Sequence, residues 1–212
     1  MPARVQTIAL TLALCFLLLG ASAAARLVVG GPRGDRLAGT SKADRLVGRG
    51  GNDVLRGKGG PDRLVGGRGD DRLVGAKGND RFAGGPGNDR LNGGAGRDSG
   101  SSGQGNDRIT GGAGDDRLGG GAGDDDLRGR RGNDLLMGGD GRDVLDGGDG
   151  DDVLEPGPDE DEVVGGEGND TIDARDGSED SIDCGPGEDT VLVDETEDGV
   201  VDCENVMFPP GV

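Results

Sequence analysis

Apolar side chains return at every ninth position from Gly30 to Asp173, and most positions between them are glycine or polar. Laid in blocks of nine from Gly30, the stretch holds sixteen copies without a slip, among them GGRGDDRLV at 66–74, GGPGNDRLN at 84–92, GGAGDDRLG at 111–119 and GGDGDDVLE at 147–155. Position eight is apolar in fifteen blocks, the exception being Gly100, and position six is Asp in all sixteen. Position one is Gly in fourteen blocks and position four in thirteen. A period this short sets the architecture ahead of any local propensity. Glycine at positions one, two and four admits positive φ and tight turning. Asn or Asp at position five, present in ten blocks, tolerates left-handed backbone. The pattern predicts that each block opens with a six-residue turn and closes with a very short strand at positions seven to nine, position eight facing inward. Two blocks then make one coil of a flattened spiral with a strand on each side. Sixteen blocks give eight coils, about 40 Å long at roughly 4.8 Å per strand step.

The motif GGxGxDxUx, with U apolar, resembles the RTX (hemolysin-type) calcium-binding nonapeptide. The resemblance spans nearly all of the chain that follows residue 25. It implies an all-β fold, a right-handed parallel β-roll (β-solenoid). It also implies calcium between the turns of neighbouring coils, held by position-six carboxylates and turn carbonyls, with blocks i and i+2 sharing an ion. On this basis the metal residues are Asp53, Asp62, Asp71, Asp80, Asp89, Asp98, Asp107, Asp116, Asp125, Asp134, Asp143, Asp152, Asp161, Asp170, Asp180 and Asp189. The first two blocks carry Arg33 and Lys42 where Gly is expected; they keep Asp35 and Asp44 but are expected to bind calcium poorly or not at all. Terminal repeats are commonly atypical because they cap the stack. Leu27, Val28 and Val29 are expected to form a first strand ahead of them.

Outside the repeats the chain reads in three parts. Residues 1–25 have Arg4, an apolar run from Ile8 to Leu19 and small-x-small sites at Ala21–Ala23 and Ala23–Ala25, the pattern of a secretory signal peptide. The run is too short for a spanning helix, so no membrane span is expected after cleavage. Residues 26–192 form the roll, its period surviving a ten-residue block at 174–183 and a final CGPGEDTVL at 184–192. Residues 193–212 form a C-terminal cap and tail, whose Val200, Val201, Val206, Met207 and Phe208 are suited to closing the open end. No second domain is expected. Family members typically leave the cell by a type I route with an uncleaved C-terminal signal, and the N-terminal signal departs from that pattern. Cys15 lies in the leader. Cys184 and Cys203 remain as an even pair in an exported chain, which reads as a disulfide linking cap to last coil; a pair of free or metal-binding thiols is the alternative. At Gly100 the core residue is missing, and the roll is expected to be thinnest there.

Composition explains why a metal is needed. The apolar fraction is 31% and aromatics are 1%, a composition that on its own describes a disordered chain. Stacked aspartates repel without a cation. Calcium takes six to eight oxygen ligands and suits carboxylates and turn carbonyls, so binding energy becomes folding energy. Charge is uneven: residues 1–110 carry 17 Lys and Arg against 10 Asp, and residues 111–212 carry 6 against 32 Asp and Glu. The excess base sits at position seven: Arg36, Arg45, Arg63, Arg72, Arg81, Arg90, Arg108 and Arg117. These rows read either as a solvated face or as a docking strip for an anionic cell-surface polysaccharide. Nucleic acid is not expected, since no aromatics are placed to stack bases. With no His, metalloprotease sites and His-dependent triads are excluded, and three Phe with no Tyr or Trp do not furnish a glycosidase cleft. Ice binding would want Thr or Asn arrayed outward in every coil, and Thr40, Thr110 and Thr171 are scattered. The sequence therefore predicts a secreted, non-enzymatic, calcium-binding roll with a structural or adhesive role outside the cell; the alternative is a glycan or cell-wall binding module using the Arg rows.

Overall fold

The computed structural model describes residues 25–194 and 199–208. The leader assigned to residues 1–25 lies outside these almost entirely, as do parts of the C-terminal tail. Every described strand belongs to one of two parallel sheets, of eleven and ten strands, and successive strands alternate between them. Each strand pairs with the strand two further along the chain, in a register of eighteen residues over the repeats, as in Leu46↔Leu64 and Leu55↔Leu73. The result is a solenoid of about ten coils, some 50 Å long at roughly 4.8 Å per step, where the block count had predicted eight.

The strands are longer than the sequence predicts. A typical one, Arg63–Arg68, runs through positions seven, eight and nine and on into positions one, two and three of the next block. Its burial alternates from exposed to buried, with both Leu64 and Gly66 facing in. The true turn is confined to positions four to six. Two glycines make this possible. Gly67, at position two, has φ 121° and Gly69, at position four, has φ 112°, so the chain turns a corner without leaving the ladder. At four of the five position-two residues that carry a side chain, Arg49, Lys58, Ala76 and Arg130, φ falls to 84–90°.

Position eight supplies the core. Leu46, Leu55, Leu64 and Leu73 are fully buried, and the spine continues to Ile172, Ile182 and Val191. At Gly100, where the core side chain is missing, Ser99–Gln104 is an unbroken strand paired on both sides. Phe82, the bulkiest core residue, lies in register beside Gly100, and a Cβ on Gly100 would come within 2.7 Å of the Phe82 Cβ.

Both ends extend the solenoid. Leu27–Val29 forms the expected first strand, paired to Arg45–Gly50. Where it is described, the tail continues the solenoid: Gly199–Val201 and Asn205–Met207 add one more parallel strand to each sheet. Val200 packs against the core, while Val201, Val206, Met207 and Phe208 stay exposed. Cys184 and Cys203 form a disulfide with Cα atoms 5.2 Å apart, joining this last coil to the one before it.

Candidate metal centre

The position-six aspartates stand in two rows, one along each flank of the solenoid. One row runs from Asp35 through Asp53 and Asp71 to Asp180, the other from Asp44 through Asp62 and Asp80 to Asp189. From Asp44 to Asp189 these side chains are at most 5% exposed. Each Oδ1 accepts the backbone N–H of the aspartate one coil earlier: Asp53 donates to Asp71, Asp62 to Asp80, and Asp152 to Asp170, at 2.7–2.9 Å. Blocks i and i+2 are therefore joined by the carboxylate of one and the backbone amide of the other.

The second oxygen is left over. From Asp53 through Asp98, from Asp116 through Asp170, and again in Asp189, the buried Oδ2 has no hydrogen-bond partner among the described residues. A buried polar atom without a partner is costly and calls for an explanation. Asp35 and Asp44 differ: Oδ2 of Asp35 accepts from Gly31 N at 2.6 Å, and Oδ2 of Asp44 accepts from both the amide and the hydroxyl of Thr40. The chain itself occupies these two carboxylates. In Asp44 burial pushes the carboxyl up, but the Thr40 and Arg26 hydrogen bonds together outweigh it and hold it below its ordinary value.

The spare oxygens converge on the position-one corner. A Cβ on Gly48 would lie 2.0 Å from Oδ2 of Asp53 and 2.5 Å from the carbonyl oxygen of Gly66, one coil on. The same pair of oxygens closes on Gly66, Gly75, Gly93, Gly120 and Gly147. Position one is glycine because the space a side chain would need is lined by a carboxylate and a carbonyl. A carboxylate oxygen with spare negative charge beside a carbonyl oxygen suits a hard cation such as calcium. Ser102 shows what else fits: its buried hydroxyl donates to Gly120 O at 2.7 Å.

Electrostatics point the same way. Burial, reinforced by neighbouring aspartates, pushes the carboxyls of Asp89, Asp116, Asp125, Asp152 and Asp161 up to about 7 from an ordinary 3.8. Burial likewise carries Asp62, Asp71, Asp98, Asp134, Asp143 and Asp170 to about 6, and raises Asp53, Asp80, Asp107 and Asp189. A divalent cation in the corner would reverse that preference by stabilising the ionised form.

Three groups escaped the nine-residue reading. Asp176, in the ten-residue block, brings its carboxylate together with those of Asp161 and Asp180, with ligand oxygens within 4.8 Å of one another. Glu204 ends the second row: its Oε2 accepts Asp189 N–H at 3.0 Å, as a position-six Asp would. Both lie where the period is broken, so no periodic signal marks them. A second ladder runs along position five in the opposite sense. There the side-chain oxygen of one coil accepts from the next coil: Asn52 from Asp70 N and Asp70 from Asn88 N, each at 3.0 Å.

The arginine rows are shorter than the sequence predicts. Arg45, Arg63 and Arg81 are in register on one sheet and Arg72, Arg90 and Arg108 on the other. Val54 separates Arg36 from its row, and Ser99 separates Arg117. Of the six stacked arginines only Arg108 is within salt-bridge reach of a carboxylate among the described residues, that of Asp126.

Among the described residues no helix is long and apolar enough to cross a membrane. No curated protein matches the chain. The family model for the RTX calcium-binding nonapeptide repeat matches at 29–64, 65–100, 92–127, 101–136, 119–154, 128–163 and 155–191. These overlapping matches cover residues 29–191 without a gap, over the same coils that carry the spare carboxylate oxygens. The chain belongs to the RTX calcium-binding nonapeptide repeat family.

Proposed function

We propose that this protein is a secreted module that folds on calcium and serves a structural or adhesive role outside the cell. The position-six aspartates from Asp53 to Asp189 are its calcium ligands. The observation that carries this reading is the pair of buried aspartate rows, whose second oxygens converge with carbonyls on glycine corners at coil after coil. One apolar side chain per block gives a thin core, and neighbouring carboxylates repel. A cation at each corner offsets the repulsion and ties two coils together, so that binding supplies folding energy. Extracellular calcium, in the millimolar range at which extracellular modules bind, is enough to load such sites. Calcium binding is the activity these residues support.

The test is circular dichroism of the protein during a calcium titration, with magnesium as control. A cooperative gain of β signal with calcium and not with magnesium is expected, since magnesium demands tighter octahedral geometry. A β spectrum unchanged by chelator would refute calcium as the folding agent.

A second reading, an anionic polysaccharide held on the outer faces, is favoured by one observation: two in-register stacks of three arginines, with Arg108 the member that faces a carboxylate. Glycan binding that disappears in an Arg63→Ser, Arg81→Ser, Arg72→Ser, Arg90→Ser variant, with calcium held constant, would support it. Binding unchanged in that variant would remove it.

A further inference from the structure

The eleven-stranded sheet ends in two strands whose outer edges pair with nothing among the described residues: Leu27–Val29 at one end and Asn205–Met207 at the other. All pairings in that sheet are parallel, including those of its first and last strands. The last edge of one copy therefore has the polarity to receive the first edge of another, as though it were the next coil. An unpaired edge is a ready template for a second chain.

Two independent features match the ends to each other. The first is apolar. Val28 begins the inward row, in register with Leu46, and Val206 ends it, in register with Val191. Val206 is 39% exposed, and it is flanked by exposed Met207 and Phe208; at the other end Leu27 is 68% exposed. The second is charge. Arg26, Arg33, Arg36 and Lys42 are exposed around the first coil, and of the ten aspartates within residues 1–110 only Asp70 is exposed. Asp176, Glu179, Glu188, Asp202 and Glu204 are exposed around the last coil. One end is basic and the other acidic, which favours head-to-tail approach and disfavours head-to-head.

We propose that folded copies of this chain associate end to end, the Asn205–Met207 edge of one pairing in parallel with the Leu27–Val29 edge of the next. The contact is heterologous and does not close on itself, so it produces a linear array. The partner is a second copy of the chain. This goes beyond the calcium reading, and the β signal reports separately on whether the coils have formed.

The experiment uses protein expressed from the full chain and purified in calcium, followed by sedimentation velocity up to about 100 µM, within the range where exposed edges associate. Circular dichroism is recorded on every sample. Wild type should grow with concentration into elongated particles of constant width by electron microscopy. Val28→Lys spoils the first edge and Val206→Lys the last, so each alone should stay monomeric. Mixed in equal amounts, they should form a species of twice the monomer mass and nothing larger, because only one compatible pair of ends remains. Wild type that stays monomeric while retaining its β signal would overturn the proposal. So would wild-type particles that widen with concentration, or either variant assembling as wild type does. If a variant loses its β signal, the wild-type width and concentration dependence decide alone.

Discussion

Gly119 and Gly120 are adjacent in the chain, and the structure assigns them opposite responses to the same substitution. A Cβ on Gly119 would find its nearest neighbours, Met137 and Ser101, at 3.9 Å, an ordinary van der Waals contact. A Cβ on Gly120 would lie 2.2 Å from Oδ2 of Asp125 and 2.6 Å from Gly138 O. Neither glycine has positive φ, so backbone strain does not distinguish them. Gly119→Ala should stabilise by about 0.4–1 kcal/mol through the lower entropy of the unfolded chain. Gly120→Ala should cost about 1–3 kcal/mol as an overpacked site, and it displaces the oxygens proposed to hold an ion. Urea unfolding at constant millimolar calcium reads the contrast. With a denaturant slope of about 2 kcal/mol per molar, the two midpoints should lie about 1 M apart. Gly120→Ser should fall between them, because Ser102 occupies the equivalent corner and turns the contact into a hydrogen bond of 2.7 Å. Equal losses for Gly119→Ala and Gly120→Ala would refute the reasoning, since they would make the effect a general property of glycine in strands.

Acid should substitute for calcium. Carboxyls raised from 3.8 to about 6 or 7, such as those of Asp62, Asp98, Asp116 and Asp152, bind protons more tightly folded than unfolded. In chelator, stability is therefore greatest below about pH 4 and falls as pH rises toward 7; β signal should appear as the calcium-free protein is acidified, and its loss on acidification would contradict the burial of these groups. Gly100→Leu, which restores the repeat consensus, should lower the urea midpoint because the new Cβ meets that of Phe82 at 2.7 Å. Cys184→Ser should cost about 3 kcal/mol, from a loop of 19 residues in the chain-entropy treatment, and hydrogen exchange should show faster opening of Gly199–Val201 and Asn205–Met207 while strands before Glu155 keep their protection.

Period and chemistry were legible in the sequence where they repeat. Leu46 to Val191 form the inward spine that the ninth-position rule demands, and the position-six aspartates stand in the two rows that pairing of alternate blocks requires. Strand length was not legible, for a physical reason. Position one faces inward like position eight, but a carboxylate fills the space of its side chain, so it is glycine and reads as turn. Gly100 looked like a gap because the pattern counts residues and does not see Phe82 beside it in the preceding coil. Asp176 and Glu204 were hidden because each does a repeat's work from outside the repeat. The disulfide was predicted from cysteine count, whereas the two extra strands near it carry no nonapeptide signature.

The register of eighteen residues over the repeats has a consequence for how such a gene can change length. Losing one nonapeptide would move every later block to the opposite sheet, so that arginine stacks and acidic faces downstream would exchange sides. Losing two would leave both faces as they were and shorten the molecule by one coil. Copy-number changes that preserve the surface therefore come in pairs of repeats, and only a single-repeat event creates a new face from old sequence.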